Sequence, residues 1–443
     1  MIGMENTATQ IINSLYDQCI ADFEMRSNTA EPEALTALRQ KGFQYFKKAG
    51  FPSSKVEDWK YTNLAPFLKE SFATATEEEL VEVPEAVIKN AAIPHLDVWT
   101  IVLVNGVYRK DLSDTVTHEG VFVLPITEAA SRPAFQKHFG SYTDLAKNHF
   151  AAVNTALFRD GLFIEVKNNA IVEKPIHVLH INTSDEPLFL QPRHLIVVGV
   201  SANASIIESF VTTGTHANVF VNNVAEIFIG ENANLHHYYI QAGSEKNRYV
   251  HHTEVYQQQN SVYNNYKASF PGTSLLRNNL NIALDGENVE SHLYGIYLSG
   301  GRQLVDNHTI VDHRKPNCQS NELYKGVMKD ESTGVFNGKV FVRKDAQKTN
   351  AFQQNNNLML GKKAVVDSKP QLEIFADDVK CSHGSTVGQF NADALFYLKS
   401  RGIGEEKARA LLIHAFAFDV TEKIPLPEVK DHINHLIEEG LKA

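Results

Sequence analysis

Gly199-Val-Ser-Ala-Asn-Ala-Ser-Ile-Ile207, Gly230-Glu-Asn-Ala-Asn-Leu-His-His-Tyr238 and Gly286-Glu-Asn-Val-Glu-Ser-His-Leu-Tyr294 are three versions of one pattern. Each is a glycine turn, an Asn or Ala step, and then a strand-like run. The first spacing is 31 residues and the second is 56, twice a 28-residue unit. A repeat of this length, made of turn and strand, predicts stacked rungs: a β-solenoid or β-helix. One rung cannot bury its own apolar side, so stacking supplies the core. Asn at successive turns agrees with this, because it tolerates left-handed backbone and can ladder between rungs. The rival architecture is a β-sandwich or jelly roll. The long, irregular repeat and an absence of Asn-Gly hairpin signals favour the solenoid.

Working outward, β texture runs over residues 96–388, the predicted solenoid core. Thr100–Asn105, Ile176–Ile181, Ser205–Val211, Ala225–Ile229 and Val340–Arg343 are short, β-branched or alternating runs. Leu195–Val200 reads as a short buried strand. Residues 1–95 read as a helical region. Ile11, Ile12, Leu15, Cys19 and Phe23 make one apolar helix face. Leu35, Leu38, Phe43 and Phe46 make a second, stopped by Gly50 and Pro52. Residues 389–443 are helical again, with helices over 393–400, 405–423 and 428–441. In the middle one, Ala408, Leu411, Leu412, Ala415, Phe416 and Phe418 read as one side. The helical termini could cap the solenoid's ends or serve as docking surfaces.

Hydrophobic residues make up 43% of the 443 positions and charged residues 21%, enough for a sizeable core and unlike a disordered chain. Lys and Arg total 42 against 52 Asp and Glu, a formal net charge of −10. That field opposes binding to nucleic acid or anionic lipid. Arg401-Gly-Ile-Gly-Glu-Glu406 resembles a helix-hairpin-helix turn, but Glu405 and Glu406 oppose phosphate there, so no nucleic acid is expected. The N-terminal residues lack a secretory or transit pattern, and no window approaches the roughly 18 apolar residues of a membrane span. The expectation is a cytoplasmic protein without membrane contact.

Cys19, Cys318 and Cys381 are the only cysteines and include no C-x-x-C pair. A disulfide framework is not expected, and a four-thiolate site from one chain is excluded by count. Cys19 and Cys318 read as structural. Gly334-Val-Phe-Asn-Gly-Lys-Val340 is one residue short of a phosphate loop and lacks its magnesium-binding hydroxyl. With no other nucleotide fingerprint, this chain has no ATP site of its own. His236-His237 and His251-His252 are adjacent, and His177 and His180 are three apart. On strands each pair points its rings to opposite faces, so satisfied histidines are expected there and not a metal site.

The chemistry concentrates in Lys369–Gly388. Cys381 and His383 are two apart, so on an extended chain they share a face with alpha carbons about 6.7 Å apart. Thiolate and imidazole both suit iron, zinc and iron–sulfur clusters. Gly384 frees the backbone after them, and Asp377 and Asp378 are placed to orient the imidazole. By residue type alone this is half a site, two ligands of the usual four. A buried Cys beside a hydrogen-bonded His reads the same way.

Glu57-Asp-Trp-Lys-Tyr-Thr62, Asp312-His-Arg-Lys-Pro-Asn-Cys318 with Tyr324-Lys-Gly326, and Ser368-Lys-Pro-Gln-Leu-Glu-Ile-Phe-Ala-Asp-Asp-Val-Lys-Cys-Ser-His-Gly384 together resemble the SufB/SufD family of iron–sulfur cluster assembly proteins. The SufD branch fits better, because the additional N-terminal cysteine cluster common in SufB has no counterpart. The resemblance implies a right-handed parallel β-helix and a noncatalytic scaffold role in a SufBCD-type complex. It implies pairing with SufB through the β-helix core and docking of the ATPase SufC through the C-terminal helices. Ala408, Leu411, Leu412, Ala415 and Phe416 are the candidate SufC contacts. A transient iron–sulfur cluster would form at the SufB interface, driven by ATP binding and hydrolysis in SufC. His383 matches the family's implicated histidine, and Cys381 the motif's cysteine. The resemblance leaves open a flavin on the assembled complex and a homodimer of the isolated chain. The alternative from another class is a carbohydrate-active β-helix enzyme such as a polysaccharide lyase. That would need an acidic cluster, often with calcium, and an export signal, and neither is evident.

Overall fold

A computed structural model describes residues 14–26, 31–73, 82–184, 186–213, 218–243 and 246–442. Two long, mainly parallel sheets face each other, and the chain alternates between them. Strands Asn203–Thr213, Asn234–Gln241, Val262–Ser269, Glu290–Ser299, Gln319–Met328, Asn350–Met359 and Lys380–Gly388 stack in one sheet. Val219–Ile229, Arg248–Gln257, Leu275–Leu284, Leu304–His313, Thr333–Val342 and Val365–Ile374 stack in the other. This is a β-solenoid of about eight turns with helical regions at both chain ends. No helix among the described residues is long and apolar enough to cross a membrane.

The repeat read in sequence is the rung itself. Asn203 pairs with Asn234, 31 residues on, then Asn234 with Val262 and Val262 with Glu290 at 28-residue steps. The member missing from the sequence pattern is Gln258-Gln259-Asn260, which keeps the Asn but has no Gly. Asn232, Asn260 and Asn288 occupy the left-handed region, with φ of 57°, 56° and 57°. Asn tolerates this conformation better than other L residues. Their side chains form the ladder, Asn260 Nδ2 donating to Asn232 Oδ1 at 2.9 Å and Asn288 Nδ2 to Asn260 Oδ1 at 3.1 Å. Gly286 is required by packing, since a Cβ there would lie 2.1 Å from the backbone nitrogen of Gln259.

Two readings need correction. Asn105-Gly106 is a two-residue antiparallel hairpin, joining Trp99–Val104 to Val107–Tyr108, a signal the repeat reading passed over. Short helices Ile126–Ala129, Pro133–His138 and His149–Leu157 also interrupt the stretch read as continuous β. His149–Leu157 is buried on nearly every side and joins Leu15, Cys19, Phe43 and Phe46 in one apolar cluster. Ile11 and Ile12 lie outside the described residues.

The terminal helices do not close the solenoid's last turn. They lie on its flanks, because the outer faces there carry large apolar side chains. On the first flank Leu15–Arg26 and Glu33–Ala49 pack against His149–Leu157, and that helix, with Phe51 and Phe72, covers Phe189 and Phe220. The C-terminal helices Glu405–Thr421 and Pro427–Lys442 cover Tyr238, Tyr266, Ile296 and Leu298 through Ile413, Ala417, Val429 and Ile433. The Glu57–Thr62 motif is a clamp on the first flank. Trp59 lies under the Arg277 guanidinium, 3.8 Å from its ring centroid, and Arg277 bonds Asp306 at 2.7 Å. The Thr62 hydroxyl donates to the same carboxylate. Glu57 reaches the final turn, pairing with Lys369 at 2.6 Å.

Two stability predictions follow. Asn260→Ala loses the ladder and strains a left-handed position, costing about 1–2 kcal/mol in denaturant unfolding. Asn260→Gly loses only the ladder and costs less; equal losses would refute the backbone account. Asp306→Asn leaves Arg277 buried beside a neutral group and costs about 3–5 kcal/mol. Burial by itself would raise the Asp306 carboxyl, but Arg277, His308 and Thr62 outweigh it and hold it at about 2. Its folded-state value lies below its unfolded one, so its stabilisation is complete above the ordinary Asp range and is lost as pH falls through 2. A wild-type and Asp306→Asn comparison across that window tests the sign.

Candidate functional site

The last turn consists of Val365–Ile374 and Lys380–Gly388, the terminal strands of the two sheets. No residue of either strand is buried. Each has one neighbour, Thr333–Val342 and Asn350–Met359 respectively, and its other hydrogen-bonding edge is open.

Register settles which side chains face inward. Ala351, Gln353 and Asn355 are buried in the preceding turn, and they lie opposite Cys381, His383 and Ser385. Successive side chains alternate, so these three project from the inward face. Their contacts agree: Cys381 packs with Val340, Val342 and Ala351, and Ser385 Oγ bonds Ser368 Oγ across the mouth at 2.8 Å. The structure therefore places Cys381 and His383 together on the inner wall of an uncapped end. Burial pushes the Cys381 thiol up, opposed by the backbone at Ala351. His383 is exposed at the mouth. A groove of about 350 Å³ runs over the last three turns of this sheet, with His383, Phe352 and Gln353 in its lining. Among the described residues, no three His, Cys, Asp or Glu side chains are arranged to hold a metal ion.

The other sequence candidates fall elsewhere. Asp377 and Asp378 are exposed in the corner before Lys380–Gly388. The Asp378 carbonyl accepts the Lys348 N–H at 2.6 Å and its own N–H donates to Gln347. Both contacts are made by the Asp378 backbone. At Gly384 a Cβ would meet nothing within 4 Å and the backbone is not left-handed, so no special freedom is used there. Ala408 is fully buried, and Phe416 packs on the apolar cluster that joins this helix to the solenoid. Leu412 is half-buried, whereas Leu411 and Ala415 are exposed. The helix's outward side also carries Phe418, and the preceding helix Ala392–Ser400 exposes Phe396 and Tyr397. The apolar residues read as one side therefore divide between an inner and an outer face.

Gly334–Val340 lies within the strand Thr333–Val342, paired on both edges, so its backbone groups are not free to cradle phosphate. Cys318 is buried with Sγ 3.2 Å from the Gly286 carbonyl, and Cys19 is in the helical core. Lys325 ties the solenoid to the Phe416 carbonyl at 2.7 Å and to Asp419.

Sequence reasoning missed the polar content of the interior. Glu208 bonds His180 Nε2 at 3.0 Å and His237 Nε2 at 2.8 Å. Burial opposes its charge, yet the two imidazoles hold it well below the usual carboxylate range. Lys267 is buried nearby over the Tyr239 ring, and burial pushes it down to about 7 against the pull of Glu208. Closer to the mouth, burial pushes the Glu322 carboxyl up to about 7, and Gln353 Nε2 donates to it at 2.7 Å. Strand parity was the available signal, because Glu208 shares its face with Ile206 and Phe210. The paired histidines split as their spacing requires. His237 and His251 turn inward to Glu208 and Tyr239, while His252 contacts Asn148 outside.

Residues 180–416 match the family model described as SUF system FeS cluster assembly, SufBD core domain, and residues 6–178 match the SufBD protein N-terminal region. An iron–sulfur cluster assembly SufBD family protein of Synechocystis is 31% identical, over 95% of this chain and 94% of its own. The iron–sulfur cluster assembly protein SufD of Escherichia coli is 31% identical over 91% of each chain. SufD of Bacillus subtilis is 26% identical over 93% of this chain and 95% of its own. With both halves matched and relatives aligned along nearly the whole length, the chain belongs to the SufBD family of iron–sulfur cluster assembly proteins.

Proposed function

We propose that this chain is a noncatalytic scaffold subunit of a SufBCD-type complex that pairs with SufB and assembles nascent iron–sulfur clusters at their interface. The observation that carries this reading is the uncapped last turn, which combines open strand edges with Cys381 and His383 on one inner face. Open edges favour pairing with another strand. A thiol and an imidazole from one chain supply half of a usual four-ligand set, so a partner chain supplies the rest. The cluster is cargo, built there and passed on.

ATP is assigned to SufC, and the nearest phosphate-loop look-alike of this chain is locked in a strand. For ATP to drive assembly, the SufB interface must have two arrangements that SufC binds differently. Docking of SufC is assigned to the outward face formed by Leu411, Ala415 and Phe418, together with Phe396 and Tyr397. Exposed large apolar groups of this kind mark interaction sites.

Two experiments test the assignment. His383→Ala in cells that depend on this chain abolishes cluster maturation while SufB and SufC still co-purify with it. Normal maturation would overturn the site. The double variant Leu411→Glu, Phe418→Glu reduces SufC recovery at least tenfold and leaves SufB recovery intact. Removing residues 389–443 is the poorer test, because Ile413, Ala417 and Ile433 cover the chain's own core. Undiminished SufC binding by the double variant would move the docking surface elsewhere.

A further inference from the structure

Three residues of successive turns lie in one register column: Glu322, Gln353 and His383. Glu322 and Gln353 are 4% and 2% exposed, so both polar side chains are committed to the interior. The Gln353 amide bonds Glu322, with Nε2 donating to Oε2 at 2.7 Å, and the Thr309 hydroxyl lies beside the same carboxyl. Ionised, Glu322 only accepts hydrogen bonds, so above its raised value of about 7 this contact fixes which end of the amide faces it. Gln353 Oε1 is left buried and without a hydrogen-bond partner. Such a group is costly to leave unsatisfied. The neighbour on its other side, in register on the last strand, is His383.

The opposite sheet makes room for this arrangement. A Cβ at Gly338 would lie 2.3 Å from Gln353 Nε2 and 2.8 Å from its Cδ. The amide therefore occupies a space that any other residue at 338 would fill. A long polar side chain thus lies one strand spacing, about 4.8 Å, behind an imidazole at the mouth.

The geometry points to Glu322 and Gln353 as positioning residues for His383: Gln353 Oε1 accepts one imidazole N–H, and the other ring nitrogen keeps its lone pair for a metal ion. A ligating histidine is commonly oriented by an acceptor on its second nitrogen, and loss of that acceptor costs about 10–100-fold in metal affinity or activity. The inference rests on the role proposed for His383 in cluster assembly, but its structural part can be judged separately.

The test uses the full chain with 15N-labelled histidine, its His383 signals assigned by their loss in His383→Ala. Spectra are taken at pH 8.5, above the Glu322 value, so that the carboxylate is ionised. In wild type one neutral tautomer of His383 predominates. Gln353→Leu, which removes the acceptor, gives a mixture of tautomers and lowers cluster maturation in cells about 10–100-fold. The exchanged pair Glu322→Gln, Gln353→Glu keeps one amide donating to one carboxylate and still leaves an acceptor toward His383, so both readouts stay near wild type. Thermal unfolding of each variant identifies any that misfold, and the exchanged pair then decides. Unchanged His383 tautomers in Gln353→Leu, or loss of the tautomer bias in a folded exchanged pair, would overturn the assignment. Normal maturation in His383→Ala would instead overturn the assembly role, while the tautomer result would still stand.

Discussion

In a solenoid each turn is completed by the next. Every strand has two hydrogen-bonding edges and one inner face, and only a stacked neighbour can satisfy them. That condition is met along the Asn232–Asn260–Asn288 ladder and fails at Val365–Ile374 and Lys380–Gly388. The unsatisfied end is where Cys381 and His383 are displayed. An open end of the solenoid and the candidate chemistry therefore coincide.

The same condition explains where the helices go. Outer faces that carry Tyr238, Tyr266 and Phe220 need apolar cover more than the polar mouth does, so both helical regions return along the flanks. This leaves the last turn accessible and spends the inner sides of Glu405–Thr421 and Pro427–Lys442 on the chain itself. Only the outward sides remain for a partner. The Trp59, Arg277 and Asp306 clamp holds the N-terminal region in the same manner, and its Glu57–Lys369 pair extends that hold to the final turn.

The interior is less apolar than a stacked β core needs to be. Glu208, His180, His237, Lys267, Glu322 and Gln353 are all buried in it. Most are partnered to one another, which makes burial of these groups tolerable and fixes their orientation. Toward the mouth the pairing thins, ending at the amide of Gln353 and the exposed ring of His383.

The sequence by itself determined the rung length, the Asn corners and the shared face of Cys381 and His383. Each depends only on local backbone conformation or on the two-residue period of a strand. It also carried the terminal helices and the absence of a phosphate loop. Only the tertiary structure decided that the helices cover flanks and not the end, that Asp378 belongs to a corner ladder, and that Ala408 faces inward while Leu411 faces out. It likewise decided that Gln353 lies behind His383. These depend on which distant segments meet, and residues 30 or more positions apart become neighbours only when one turn is laid on another.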